Sequence, residues 1–145
     1  MFIQNRDTDF SYSPKINLVN NMSNIDSFYK FDTVENSAEE VIKQCFNTLY
    51  EDGRLLEALY LITVEYSGVG QEDCCWTYID EYEINFDKNA CIYFSYGCNE
   101  DISEFYIGEA FNFELVKIVS ERFCRIHPEW KDFLHNIVLH WTPKY

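Results

Sequence analysis

At 145 residues with a formal net charge of −14, the chain has the length of one domain and too few basic residues, eleven, to follow a nucleic-acid backbone or an anionic membrane surface. Its 47% hydrophobic and 18% aromatic content excludes an acidic disordered tail and suits a core that buries roughly 70% of the unfolded surface. No apolar run has the length to span a bilayer, and residues 1–7 lack the apolar core of a signal peptide. The six cysteines are therefore expected as reduced, mostly buried thiols in a cytoplasmic protein rather than as three disulfides.

Residues 1–33 read as a partly ordered N-terminal arm, in which residues 15–19 suit a short strand and residues 28–31 suit packing on the core. Residues 34–145 read as a single α+β domain. Its first helix starts at Ser37, where Ser37 and Glu40 form a capping box, and its apolar stripe runs through Val41, Ile42, Cys45, Phe46 and Leu49. Gly53 suits the left-handed position that ends this helix, and a second helix follows from Arg54 to Thr63. Gly68-Val69-Gly70 opens the sheet.

From Trp76 to Phe86 the even positions are mainly aromatic or apolar and the odd ones mainly polar, which predicts a strand with one buried and one wet face, bent near Ile79 and Asp80. A turn at 87–89 leads to a strand over 90–96, and residues 103–107 add another. A helix over 109–126 buries Val116, Val119, Phe123 and Ile126, supported by Leu115 and Ile118, with acidic Glu109 early and basic Arg125 late as the helix dipole favours. Pro128 bounds it, and a last helix over 129–139 places Trp130, Phe133, Leu134, Ile137 and Val138 on one side. The sum is an antiparallel meander of three or more strands flanked by about four helices.

Residues 65–114 hold twelve carboxylates against one base, Lys88, a net −11 out of the chain's −14. The candidate partner-binding residues are Glu72, Asp73, Asp80, Glu81, Glu83, Asp87, Asp101 and Glu104, expected to present a fixed negative surface on the sheet, with Glu81, Glu83 and Asp87 sharing one strand face. A charge run of this kind is by default a solvated face; concentration in one third of the chain favours docking of a basic partner.

Other chemistry is poorly supported. Cys74 and Cys75 are strand neighbours that point to opposite faces, and His127, His135 and His140 lack metal-ligand spacing. The acids at 80–87 lack the glycine and ligand spacing of a calcium loop. Paired carboxylates are unspecific among twenty-five, Cys74 and Cys75 follow Glu72-Asp73 in a setting that suppresses thiolate reactivity, and no Gly-rich phosphate loop is present. No metal, cofactor or catalytic residue is expected.

Residues 41–59, with the run Leu49-Tyr50-Glu51-Asp52-Gly53-Arg54, then Gly68-Val69-Gly70 leading to Cys74-Cys75, then Glu121-Arg122-Phe123 to His127-Pro128-Glu129, resemble bacterial contact-dependent growth inhibition (CDI) immunity proteins of the ribonuclease toxin immunity group. The resemblance spans about residues 38–138 and implies a non-enzymatic cytoplasmic antidote that binds a cognate nuclease toxin domain, one to one, and blocks access of RNA. Two other readings stand beside it: an acidic nucleic-acid mimic that inhibits another nucleic-acid-binding protein, and a small hydrolase using two carboxylates.

Overall fold

The computed structural model describes residues 38–98 and 100–145. The strand expected at 15–19, the core packing expected of 28–31 and the capping serine Ser37 lie outside the described residues. Among the described residues, four α-helices and a four-stranded antiparallel sheet make one α+β domain: α1 Ala38–Glu51, α2 Leu55–Val64, β1 Gly68–Gly70, β2 Cys74–Tyr78, β3 Ile92–Tyr96, β4 Ser103–Ile107, α3 Glu109–Ile126 and α4 Lys131–Leu139. Short 3₁₀ turns at Lys88–Ala90 and Pro128–Trp130 precede β3 and α4. The strands pair in sequence order, β1-β2-β3-β4, as a simple meander.

The alternation of β2 divides the sheet into two faces. Cys74, Trp76 and Tyr78 point inward, and register places Phe94 beside Trp76, Ile92 beside Tyr78 and Phe105 beside Phe94. Helix α1 lays Cys45, Phe46 and Leu49 on this face, and all three are buried. Phe46 meets Trp76 edge-on at 4.8 Å and Phe94 at 5.7 Å, while Trp76, Phe94 and Phe105 stack along the sheet. Such ring pairs add about 0.5–1.5 kcal/mol each beyond the area they bury. The indole N–H of Trp76 donates to Asn112 Oδ1 of α3 at 2.8 Å, so the one polar atom of the ring is satisfied inside the core.

Gly53 sits at φ 73 between α1 and α2, the left-handed conformation its position calls for. Gly68 is required for a different reason: a Cβ there would lie 2.2 Å from the Trp76 carbonyl oxygen. Two details of the helical stripes differ from expectation. Ile118 faces solvent, and α4 is preceded by the 3₁₀ turn that Pro128 opens.

The strand expected over 76–86 ends at Tyr78. Ile79 N still donates to Cys91 O at 2.9 Å, but Asp80 then takes the backbone away from the ladder. Its side chain accepts from Tyr82 N at 2.9 Å and its carbonyl from Glu83 N at 3.0 Å, closing a turn. The apparent alternation continues past this point without a sheet to enforce it. Tyr82 and Ile84, expected inside, are 86% and 96% exposed.

Trp76→Phe is expected to destabilise the protein by about 1–3 kcal/mol in urea unfolding, because it leaves the buried Asn112 carbonyl without a donor. A smaller loss than Asn112→Ala in the wild-type background would show that the bond, more than the ring volume, is what the core relies on.

Candidate interaction surface

The meander places its connections at opposite ends. The β1–β2 turn carries Glu72 and Asp73, and the β3–β4 connection carries Asp101; the two touch through Gly97 N, which donates to Asp73 O at 2.9 Å. The β2–β3 connection, with Asp80, Glu81, Glu83 and Asp87, lies at the other end of the strands. A five-residue strand spans about 13 Å at ~3.3 Å per residue, so seven of the eight candidate carboxylates fall into two separate groups and not one surface. Glu81, Glu83 and Asp87 do not share a strand face; all three are exposed on the connection. Of the eight, Glu104 alone lies on a strand, opposite Ser95 on the outer face, where it accepts from Tyr93 Oη at 2.6 Å. Burial, and then this bond, push the Tyr93 phenol up to about 12.

At the first end the structure adds residues outside the eight candidates. Gln71 donates to Asp52 Oδ2 at 2.6 Å and to Asp73 Oδ1 at 3.2 Å, and accepts from Arg54 Nη1 at 3.1 Å. The α1–α2 junction is thereby joined to the β1–β2 turn, and Asp52 joins Glu72, Asp73, Glu100 and Asp101 at one acidic edge. The legible signal was Gly53, whose turn fixes where Asp52 must lie.

The second end is built differently. Two successive turns hold the loop: the Asp80 turn already described, and Phe86 N to Glu83 O at 3.1 Å. Asp87 then caps the 3₁₀ turn by accepting from Asn89 N at 2.8 Å. Beneath the loop the C-terminal residues act as a strap. Glu109, buried at the start of α3, accepts from Tyr78 Oη at 2.7 Å, Lys144 N at 2.6 Å and Tyr145 N at 2.9 Å. The Tyr145 ring then packs on Phe86 at 5.1 Å, and Lys144 Nζ stands 3.9 Å from Glu81. Tyr82 and Ile84 are thus displayed between four carboxylates on a loop with its own internal bonds.

The remaining polar clusters are explained by packing. Tyr50 Oη and His127 Nε2 lie 2.8 Å apart in the interior, with Glu129 Oε2 3.8 Å from His127 Nδ1, clasping the end of α1 to the exit of α3. Burial lowers the His127 pKa, Glu129 opposing it, and burial pushes Tyr50 up to about 12. All six cysteines are free thiols; Cys45 is held well above its ordinary value by Cys74 beside it and by burial. Among the described residues no group of three or more His, Cys, Asp or Glu has the arrangement to hold a metal ion. The concavity of about 630 Å³ between α3 and α4 is lined by Lys117, Arg125 and Lys131 with Glu121, a sign opposite to that of both acidic ends.

A family model described as CDI immunity protein matches residues 38–138, more than half of the chain. The chain belongs to the CDI immunity protein family. A solved structure of an immunity protein, NMB0503 from Neisseria meningitidis MC58, is similar to it with a TM-score of 0.59 at 20% sequence identity, covering 91% of this chain and 97% of that one. At that identity the likeness speaks for the fold. No curated protein matches the chain. As a CDI immunity protein it has an antitoxin role, and its partner is a protein, the cognate toxin. No helix among the described residues is long and apolar enough to cross a membrane.

His127 gives this immunity protein a pH dependence of defined sign. Its folded pKa lies below the ordinary 6.5, so its contribution to stability is full above that value and is lost as pH falls through the folded pKa. Unfolding free energy measured from pH 7.5 to pH 5 is expected to fall more steeply for wild type than for His127→Gln. Parallel slopes would remove His127 from the account.

Proposed function

We propose that this CDI immunity protein neutralises a ribonuclease toxin domain in the cytoplasm, as a one-to-one complex, by docking the β2–β3 loop against the toxin's basic RNA-binding surface. The observation that carries the reading is the pairing of Tyr82 and Ile84, almost fully exposed, with Asp80, Glu81, Glu83 and Asp87 around them. Interfaces draw most of their affinity from a few aromatic or apolar anchors that become desolvated, while surrounding charges set partner choice and association rate. A ribonuclease must attract phosphate, so its RNA site is basic and meets this rim with the complementary sign. The acidic edge at the other end, with Asp52, Glu72, Asp73 and Asp101, adds long-range steering toward the same partner.

Replacing Tyr82 and Ile84 together by Ala is expected to weaken toxin binding by about 2 kcal/mol or more, roughly 30-fold in Kd, while the urea midpoint stays within error because neither side chain is buried. Glu81→Lys with Glu83→Lys is expected to slow association and flatten its dependence on salt. Asp73→Asn with Asp101→Asn serves as the distant comparison. Loss of binding in that pair, with none in the loop variants, would move the docking surface to the opposite end.

The protein acts by binding and turns over no substrate of its own. Purified protein is expected to leave RNA, DNA and glycosides intact over hours at micromolar concentration. Turnover that disappears on replacing one carboxylate would overturn the antidote reading in favour of a hydrolase.

A further inference from the structure

Behind the exposed tip of the β2–β3 loop lies a concavity of about 570 Å³, walled by Ile79, Ile84, Phe86 and Ala90 and by the outward ring of Tyr106, with Glu83 and Asp87 in its lining. That volume falls within the range of ligand-binding clefts and holds a long side chain together with the backbone that carries it. No basic residue lines it. Its floor is fixed from three sides: Phe86 by the Tyr145 ring at 5.1 Å, Tyr106 by Tyr93 at 5.2 Å, and Asp87 by its bond to Asn89 N.

We infer that this notch seats one basic side chain of the toxin, an arginine in preference to a lysine. The chemistry of the walls selects it. The three methylenes of an arginine lie against apolar surface, as long cationic side chains do elsewhere. Its planar guanidinium stacks on an aromatic ring and pairs with a carboxylate through two parallel N–H donors, which a lysine ammonium does not reproduce. A purely apolar segment would desolvate Glu83 and Asp87 without a partner, and an acidic one would be repelled by them. A metal ion is not the occupant, since among the described residues no third ligand joins these two carboxylates. The inference rests on the loop being the docking element, and it names what the toxin brings to it.

The test uses the full chain alone, so that it does not depend on a toxin. N-acetyl-arginine amide titrated into isotope-labelled protein is expected to give saturable NMR shifts at Ile79, Ile84, Ala90 and Tyr106, with a millimolar dissociation constant. The lysine amide is expected to bind at least threefold more weakly and the norleucine amide not to saturate. Glu83→Gln with Asp87→Asn, which keeps an oxygen for the Asn89 amide, is expected to weaken the arginine amide at least fivefold. Equal binding of norleucine, shifts centred on Asp52 and Asp73, or an unchanged affinity in the double variant would each overturn the inference. In the complex, full neutralisation by the Glu83→Gln, Asp87→Asn variant alongside failure of the Tyr82→Ala, Ile84→Ala variant would retain the loop and remove the arginine. Saturable arginine binding by a protein that neutralises no ribonuclease would retain the notch and remove the ribonuclease reading.

Discussion

The Glu109 carboxylate is where the scaffold, the exposed loop and the C-terminal residues are joined. It enters with the first turn of α3, where the unpaired helical amides favour a negative charge. Its oxygens take the Tyr78 hydroxyl, from the last residue of β2, and the amides of Lys144 and Tyr145. Burial and this bond raise the Tyr78 pKa far above its ordinary value, so the phenol stays a donor at any physiological pH. Burial, and then Glu109, push the neighbouring Cys91 thiol up to about 11. Each hydrogen bond to a charged acceptor contributes about 1.5–3 kcal/mol, a large share of the 5–15 kcal/mol that holds an ordinary domain together. Through this group the scaffold holds the C-terminal residues that pack against the loop.

The charge distribution follows from the meander. Hairpin connections alternate between the two ends of the strands, and the chain puts its carboxylates in the connections and leaves the outer face to Thr77, Tyr93, Tyr106 and Glu104. The ends are separated by more than the Debye length of about 8 Å at physiological ionic strength. Each therefore presents a local field of its own, and the −14 of the whole chain acts as a single charge only on a partner still at a distance.

Where physical causes are local, the sequence carried them. The helices and the Ser103–Ile107 strand follow from 3.6-residue and two-residue periodicity, and Gly53 announces its own left-handed turn. The residues from Tyr78 to Phe86 show where such reasoning stops. Alternation of apolar and polar residues is evidence for a strand only when a neighbouring strand pairs with it, and an aspartate whose oxygens capture the next amides ends pairing while the alternation runs on. The same nine residues supplied three of the eight candidate carboxylates, so the error in secondary structure became an error in where charge is displayed. Asp52 and Gln71 were missed because their importance lies in a contact across nineteen residues, which no periodicity reports. Glu109 looked like a helix-dipole residue, and its three donors become visible only once the chain is folded.

The loop from Asp80 to Asn85 is exposed along its whole length, and the bonds that shape it run mainly through backbone atoms and the Asp80 side chain. Its other side chains are consequently decoupled from stability. Substitutions at Glu81, Tyr82, Glu83 and Ile84 change the displayed surface at little cost in folding free energy, the condition under which a docking loop of the kind proposed diverges together with its toxin. With docking through this loop as proposed, a changed toxin is met by rewriting one short stretch, while the aromatic core and the Glu109 node stay as they are.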